Sequence, residues 1–258
     1  MKYLVYLGSG GLTHMLTGIA FCIKKAEELN RSLIIRVDNH SYFNKKFFDY
    51  FHIDSSLNVI EDLGDFSKEE KKLLNLRPTS SNKGNYFINN KNASLIPNNS
   101  DKKFLFFTRF CGINQEMKYI KCKKYIVNKI KKLSSYNNIL GVHFRNTDIK
   151  SNFDKILKKI NNLIEEKQIT TIYLATDDYL SINKFKEKLN KPIITFTVPP
   201  SSTKGLHMTN FNKDTLILNT LTDMYNLINC EYFIPTLKSS LSTWIVELRK
   251  NNTLFNNE

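Results

Sequence analysis

The chain has 258 residues, of which 41% are hydrophobic, 24% charged and 12% aromatic. That is an ordinary globular composition, long enough for one large domain or two small ones. A formal net charge of +14 and a pI near 9.5 favour an anionic partner, whether nucleotide, polyanion or membrane surface. The abundance of Lys, Asn and Ile resembles a genome-composition bias, which weakens a functional reading of that charge. Cys22, Cys111, Cys122 and Cys230 are widely spaced without a C-x-x-C pair, which argues against zinc and gives no disulfide framework. No stretch has transmembrane length, and the N-terminus lacks a signal peptide's basic start and cleavage site. A cytoplasmic, soluble protein is therefore expected, so sequons such as Asn92-Ala93-Ser94 carry little meaning.

Lys2 to Leu7 reads as a first strand, and Gly8-Ser9-Gly10-Gly11 as a tight turn into an apolar helix from about Leu12 to Asn30. Ser32 to Val37 is a second strand, which completes a Rossmann-like opening. The following region is irregular and aromatic. Ser67-Lys68-Glu69-Glu70 is a capping box for a short helix ending near Arg77-Pro78. Thr79 to Lys103 reads as a long surface loop, and Phe104 to Phe107 as a buried strand. Glu116 to Leu133 is predicted as a helix with seven lysines between Lys118 and Lys132. It is either a basic binding face or a solvated helix with Ile120, Ile126, Val127 and Ile130 turned inward. Ser134 to Asn138 is a candidate hinge.

Beyond it the alternation is cleaner. Ile139 to Phe144 is a strand, about Asn152 to Lys167 a helix, and Thr170 to Ala175 a strand. A helix near Tyr179 to Leu189 and a strand from Ile193 to Thr197 follow. The loop Val198 to Phe211 leads to a helix from about Lys213 to Ile228, a short strand Tyr232 to Ile234, and a last helix from about Ser240 to Lys250. Such alternation implies a parallel sheet covered by helices on both faces. The predicted architecture is α/β with two Rossmann-like halves, 1–134 and 135–258, and a cleft between them.

Four strand ends carry polar clusters. Gly8 to Gly11 feeds a helix whose free N–H groups suit phosphate. It departs from G-x-G-x-x-G at Thr13, so a standard dinucleotide site is not expected. His143-Phe144-Arg145-Asn146-Thr147-Asp148 places a guanidinium fork at a strand end, where α/β folds bind ligands. A strand end whose Arg145 merely pairs with a nearby Asp is the alternative. In Ala175-Thr176-Asp177-Asp178, one acid suits a helix cap and the other a nucleobase or ribose. Pro235 to Ser242 offers hydroxyls and N–H groups at a helix start, a second anion site unless Ser239 or Ser240 is only an N-cap. No nucleophile elbow, P-loop or H-E-x-x-H is present, and His143 has no second histidine at ligand spacing. These clusters suit holding a phosphorylated leaving group by positioning and charge.

The segment His143 to Asp148 resembles the H-x-R-x-T-D motif of the α1,6-fucosyltransferases, nodulation fucosyltransferases and protein O-fucosyltransferases. Leu174 to Asp178 is similar to the second motif of that group, and Phe233 to Ser240 to its third, which ends in paired serines. Gly205-Leu206-His207, the Leu221-Thr222-Asp223 region and Gly10-Gly11-Leu12 with its helix fit the same pattern. The likeness is good over Ile139 to Thr243, fair over residues 1–37 and absent from about 40 to 135. The resemblance implies a GT-B-like fold, GDP-fucose as co-substrate with no cofactor, and inverting, metal-independent transfer to a glycan or other hydroxyl acceptor. The C-terminal half would hold the donor and the N-terminal half the acceptor. Arg145 would be catalytic. The donor-binding set would be His143, Arg145, Asp148, Asp177, Asp178, Ser239, Ser240, Gly10 and Gly11. Within it Arg145 and Ser240 take the diphosphate, His143 the nucleotide and Asp177 the guanine. Where the α1,6 enzymes carry an arginine pair this chain has Arg145-Asn146, and its N-terminal turn has Thr13-His14 where relatives often carry Gly-Asn. The near match to the group's base is Asp154, which also suits the capping acid of a Ser151-x-x-Asp154 box. No nucleic-acid partner is implied. The basic surface leaves peripheral membrane contact open, a different sugar donor and a non-catalytic nucleotide- or polyanion-binding role are the rival readings, and the oligomeric state is unread.

Overall fold

A computed structural model describes residues 1–8, 10–37, 43, 46–60, 62–75, 87–88, 103–107, 115–199 and 212–256. The chain divides into two compact units, Met1–Lys123 with Asn256–Glu258, and Lys124–Phe255. The contact boundary thus lies before the expected hinge. Asn226 explains why the hinge segment belongs to the second unit. Its buried amide accepts from Leu133 N–H (3.1 Å) and Tyr136 O–H (3.0 Å), and donates to Lys131 C=O (2.8 Å).

In the first unit β1 (Tyr3–Leu7) leads into α1 (Leu12–Glu28) and returns as β2 (Ser32–Arg36). β4 (Val59–Ile60), β5 (Phe87–Ile88) and β6 (Phe104–Phe107) complete a parallel sheet of order β4-β2-β1-β6-β5. β1 and β6 are buried along nearly their whole length, as expected for strands covered on both faces. α2 (Lys68–Asn75) opens on the predicted capping box, in which Glu70 N–H donates to Ser67 Oγ (3.2 Å) and Ser67 N–H to Glu70 Oε2 (2.9 Å). β5 lies within the stretch expected to be a loop. Its neighbours 79–86 and 89–102, like Cys111 and the sequon at Asn92, lie outside the described residues.

The expected helix Glu116–Leu133 is not one helix. Gln115–Tyr119 forms a 3-10 turn, Ile120–Cys122 a strand, β7, and Lys124–Val127 a single helical turn, α3. β7 pairs antiparallel with β3 (Phe51–Ile53), Phe51 opposite Cys122 and Ile53 opposite Ile120. Ile120, Ile126 and Ile130 are buried as expected, but Ile120 and Cys122 are buried alternately about Lys121, with period two.

The second unit contains β8 (Ile139–Phe144), α4 (Phe153–Lys167), β9 (Thr171–Thr176), α5 (Tyr179–Lys188), β10 (Ile193–Ile194), α6 (Lys213–Asn229), β11 (Tyr232–Ile234) and α7 (Ser240–Leu248). Its sheet is parallel with order β10-β9-β8-β11. The chain steps outward from β8 to β10, then returns across the sheet to place β11 on the other side of β8. That reversal is a topological switch point, and the carboxyl ends of the strands beside it form the usual ligand crevice of such sheets. Leu140, Val142 and Phe144 face Ile156 and Ile160 of α4 and Ile182 and Phe185 of α5 in one core. Each fully buried side chain of this kind stabilises by about 1.5–3 kcal/mol. Successive strand residues point to opposite faces, so Gly141 and His143 turn to the side of α6 and α7.

Candidate functional site

Three chain segments converge where β8, β9 and β11 end. β8 delivers His143, whose side chain is buried (5% exposed) with Nδ1 2.7 Å from Ser242 Oγ on α7. Burial, reinforced by the charge of Arg145, lowers its pKa to about 3. The imidazole is therefore neutral at physiological pH. Arg145 follows, and its Nε and Nη2 donate to Asp148 Oδ1 (2.8 Å) and Oδ2 (2.7 Å), a bidentate fork. Asp177 Oδ2 lies 3.5 Å from Arg145 Nε. Two of the five N–H donors of a guanidinium are spent on Asp148, and the other three make no hydrogen bond among the described residues. The pairing held out as the alternative role of Arg145 is thus present, yet it leaves most of the fork unused.

β9 delivers the two acids. Asp177 is largely buried, and its Oδ1 accepts from Asn146 N–H (2.7 Å) while its Oδ2 accepts from Thr147 O–H (2.5 Å). Burial raises its pKa against those two donors and the charge of Arg145. Asp178 is the N-cap of α5. It accepts from Leu180 N–H (3.1 Å), Ser181 O–H (2.5 Å) and Asn146 Nδ2 (2.7 Å). Sequence reasoning foresaw that one acid would cap. It did not foresee that Asp177 would hold the turn after β8.

The connection from β11 to α7 supplies Thr236, whose hydroxyl donates to His143 C=O (2.6 Å) and accepts from Arg145 N–H (3.1 Å). Its own N–H donates to Ser242 Oγ (2.9 Å), and its C=O accepts from Ser239 N–H (3.4 Å). One buried threonine thereby joins the first motif to the third. Lys238 adopts a left-handed conformation (φ 63°) just before the helix. Ser239 is the N-cap of α7, 1% exposed, yet its side chain caps nothing. Its Oγ has no hydrogen-bond partner among the described residues. A buried orphan hydroxyl at a helix start, where free N–H groups and the helix dipole favour negative charge, is suited to an anion. Ser240, partly buried, is the first residue of that helix.

Gly10 and Gly11 belong to the first unit, at the end of β1. Gly10 has φ 78°, which favours glycine, and Gly11 is the N-cap of α1 without a side-chain cap. Asp154 lies in the first turn of α4. The cap there is Asn152, whose side chain accepts from Lys155 N–H (2.9 Å), so the predicted Ser151-Asp154 box does not form. Sequence reasoning also passed over Asp223 as a distinct group. On α6 it accepts from Tyr173 O–H and Thr197 O–H, each at 2.7 Å, and burial pushes its pKa up to about 7. Residues 205–207 lie outside the described residues. Among the described residues no cluster of His, Cys, Asp and Glu has metal-ligand geometry, and no helix is long and apolar enough to cross a membrane.

No protein-family model matches the chain, and no curated protein matches its sequence. Solved structures do match. A fucosyltransferase NodZ from Bradyrhizobium superposes with TM-score 0.61 at 16% identity, covering 95% of this chain and 93% of that one. A NodZ α1,6-fucosyltransferase soaked with GDP-fucose gives 0.59 at 16% identity, over 95% and 92%. POFUT1 in complex with GDP gives 0.60 at 11% identity, over 96% and 95%. The chain has the α/β, GT-B fold of these fucosyltransferases, as the resemblance of its motifs implied.

Proposed function

We propose that this protein is a glycosyltransferase that moves fucose from GDP-fucose to a hydroxyl acceptor, with inversion at the anomeric carbon and without a metal. The supporting observation is the anion cradle at the ends of β8 and β11. There, among the described residues, Arg145 keeps three N–H donors, and Ser239 Oγ is buried without a partner at the start of α7. The fold, shared over nearly the whole chain with proteins solved with GDP or GDP-fucose, supports the same reading. In this mechanism the diphosphate lies against Arg145 and the first turn of α7, in the second unit. The acceptor is taken by the first unit. As the glycosidic bond breaks, negative charge grows on the departing phosphate oxygens, so the contacts of Arg145 strengthen in the transition state. Cationic and hydroxyl groups then do the work of a metal ion.

Release or transfer of fucose from GDP-fucose, with UDP- and ADP-sugars as controls and with EDTA present, tests the reading directly. Removing one preorganised donor to a developing anion costs about 10²–10³ in kcat. Arg145→Ala should lose at least that much, and Arg145→Lys should recover little because an ammonium cannot reproduce the fork. A folded Arg145→Ala protein within tenfold of wild type would overturn the mechanism. Loss of turnover on chelation, restored by Mn²⁺ or Mg²⁺, would overturn the metal-free assignment.

A further inference from the structure

We infer that Asp177 and Thr236 are positioning residues that clamp the backbone of Arg145 from both sides of β8. This inference rests on the role proposed for Arg145. The geometry is a pair of consecutive peptide groups, each held by a neighbouring strand's carboxyl end. The N–H of Arg145 donates to Thr236 Oγ1 (3.1 Å), just beyond β11. The next N–H, that of Asn146, donates to Asp177 Oδ1 (2.7 Å), just beyond β9. Each clamp has a second anchor. Thr236 Oγ1 donates to His143 C=O at 2.6 Å, so one hydroxyl spans the last residues of β8. Asp177 Oδ2 accepts from Thr147 O–H at 2.5 Å, so one carboxylate spans Asn146 and Thr147.

Thr236 is 4% exposed and Asp177 has little exposure, which makes these hydrogen bonds costly to leave unmade. A loop leaving a strand would otherwise be free to rotate about Arg145. With both flanking N–H groups fixed, the guanidinium starts from a set position, and Asp148 sets its orientation through the fork. Displacement of a reacting group by about 1 Å can cost a hundredfold in rate. Both carboxylate oxygens of Asp177 accept hydrogen bonds from within the chain, so its task is to hold the turn. Reading a guanine, the role the resemblance assigned it, would fall to the second lone pairs of oxygens already committed to the turn.

The test uses the whole chain with four variants, Thr236→Val, Thr236→Ser, Asp177→Ala and Asp177→Asn. Hydrogen exchange at the Arg145 and Asn146 amides reads the clamp without reference to any sugar donor. Thr236→Val should lose protection at Arg145, and Asp177→Ala at Asn146. Thr236→Ser and Asp177→Asn each keep an acceptor and should retain it. Turnover with GDP-fucose should fall tenfold to a hundredfold in Thr236→Val and Asp177→Ala, more in kcat than in KM, with recovery in the conservative pair. The preference for GDP over ADP and UDP, read by calorimetry, should be unchanged in Asp177→Asn. Unchanged amide protection in Thr236→Val and Asp177→Ala would overturn the clamp. Loss of GDP preference in Asp177→Asn would overturn the assignment of Asp177 as a positioning residue and return it to base reading. If Asp177→Ala does not fold, Thr147→Val removes the second anchor and should weaken protection at Asn146. A wild-type protein that neither binds GDP nor releases fucose would refute the transferase, while the exchange data would still decide whether the clamp exists.

Discussion

Asp223→Asn should make the protein more stable at pH 8 and leave it unchanged near pH 4. Asp223 is surrounded by α6, Tyr173 and Thr197, and burial raises its pKa to about 7. The unfolded chain returns it to about 3.9, so the folded state binds the extra proton between those values. Stability contributed by the protonated acid is complete below pH 4 and is lost as pH rises through 7. About 3 pH units at 1.36 kcal/mol each set a ceiling near 4 kcal/mol. Asp223 keeps some solvent exposure, which lowers the expectation to about 2 kcal/mol. Asparagine retains the shape: one hydroxyl partner still donates to its carbonyl oxygen, and the other turns to accept from its amide N–H. His143 acts in the opposite sense. Its folded pKa of about 3 lies below the ordinary 6.5, so the stability it carries is lost as pH falls from about 6.5 toward 3. The wild-type profile mixes both effects, whereas the difference between wild type and Asp223→Asn removes the His143 contribution. Urea unfolding at half-unit steps from pH 4.5 to 8.5 measures that difference, which should climb with pH and level off above 7. A flat difference, or one that shrinks as pH rises, would refute the assignment.

Two further outcomes follow from backbone geometry. A Cβ at Gly141 would meet Leu227 Cδ2 at 2.9 Å and Cys230 Cβ at 3.1 Å, so α6 packs against β8 only because the side chain is absent. Gly141→Ala should destabilise by about 1–3 kcal/mol in urea, and equal or greater stability would contradict that packing. Gln168, exposed at the end of α4, has φ 52° and ψ 40°, the left-handed conformation that favours glycine. Gln168→Gly should raise stability by about 0.5 kcal/mol, read as a higher urea midpoint with unchanged slope, and a lowered midpoint would count against relief of strain there.

The second unit was legible because its signals are local. Ile139 to Phe144 is a short apolar run with polar flanks, and α4 and α6 carry Asn152 and Asn212 as caps that accept from Lys155 and Thr215. The stretch 116–133 misled for the opposite reason. Apolar residues at 120, 126, 127 and 130 fit a helical face, but β3, some seventy residues earlier, draws Ile120–Cys122 into a strand. A pairing partner that distant leaves no trace in local periodicity. The site divides the same way. His143, Arg145, Asp177 and Ser239 stood out by residue type at strand ends, and the caps at Asp178 and Ser239 lie where strand-to-helix turns put them. Thr236 did not stand out, because its role exists only once β11 lies beside β8.

That adjacency also bears on whether Arg145 is a structural ion pair or a ligand contact. A guanidinium committed to structure would spend its donors on buried partners, as Arg249 does by donating to the carbonyls of Leu227, Ile228, Cys230 and Glu231 at the end of α6. Arg145 spends two donors on Asp148, a carboxylate that is 34% exposed, and its one largely buried ionic neighbour among the described residues, Asp177, stands off at 3.5 Å from Nε. An exposed pair of that kind contributes about 0.2–1 kcal/mol, far less than the several kcal/mol asked of a transition-state contact. The diphosphate proposed to bind Arg145 would therefore share or displace Asp148 at little cost. The backbone beneath, held by Thr236 and Asp177, keeps its place. Weak restraint of the side chain over firm restraint of the main chain suits a group whose full bonding is completed by the ligand.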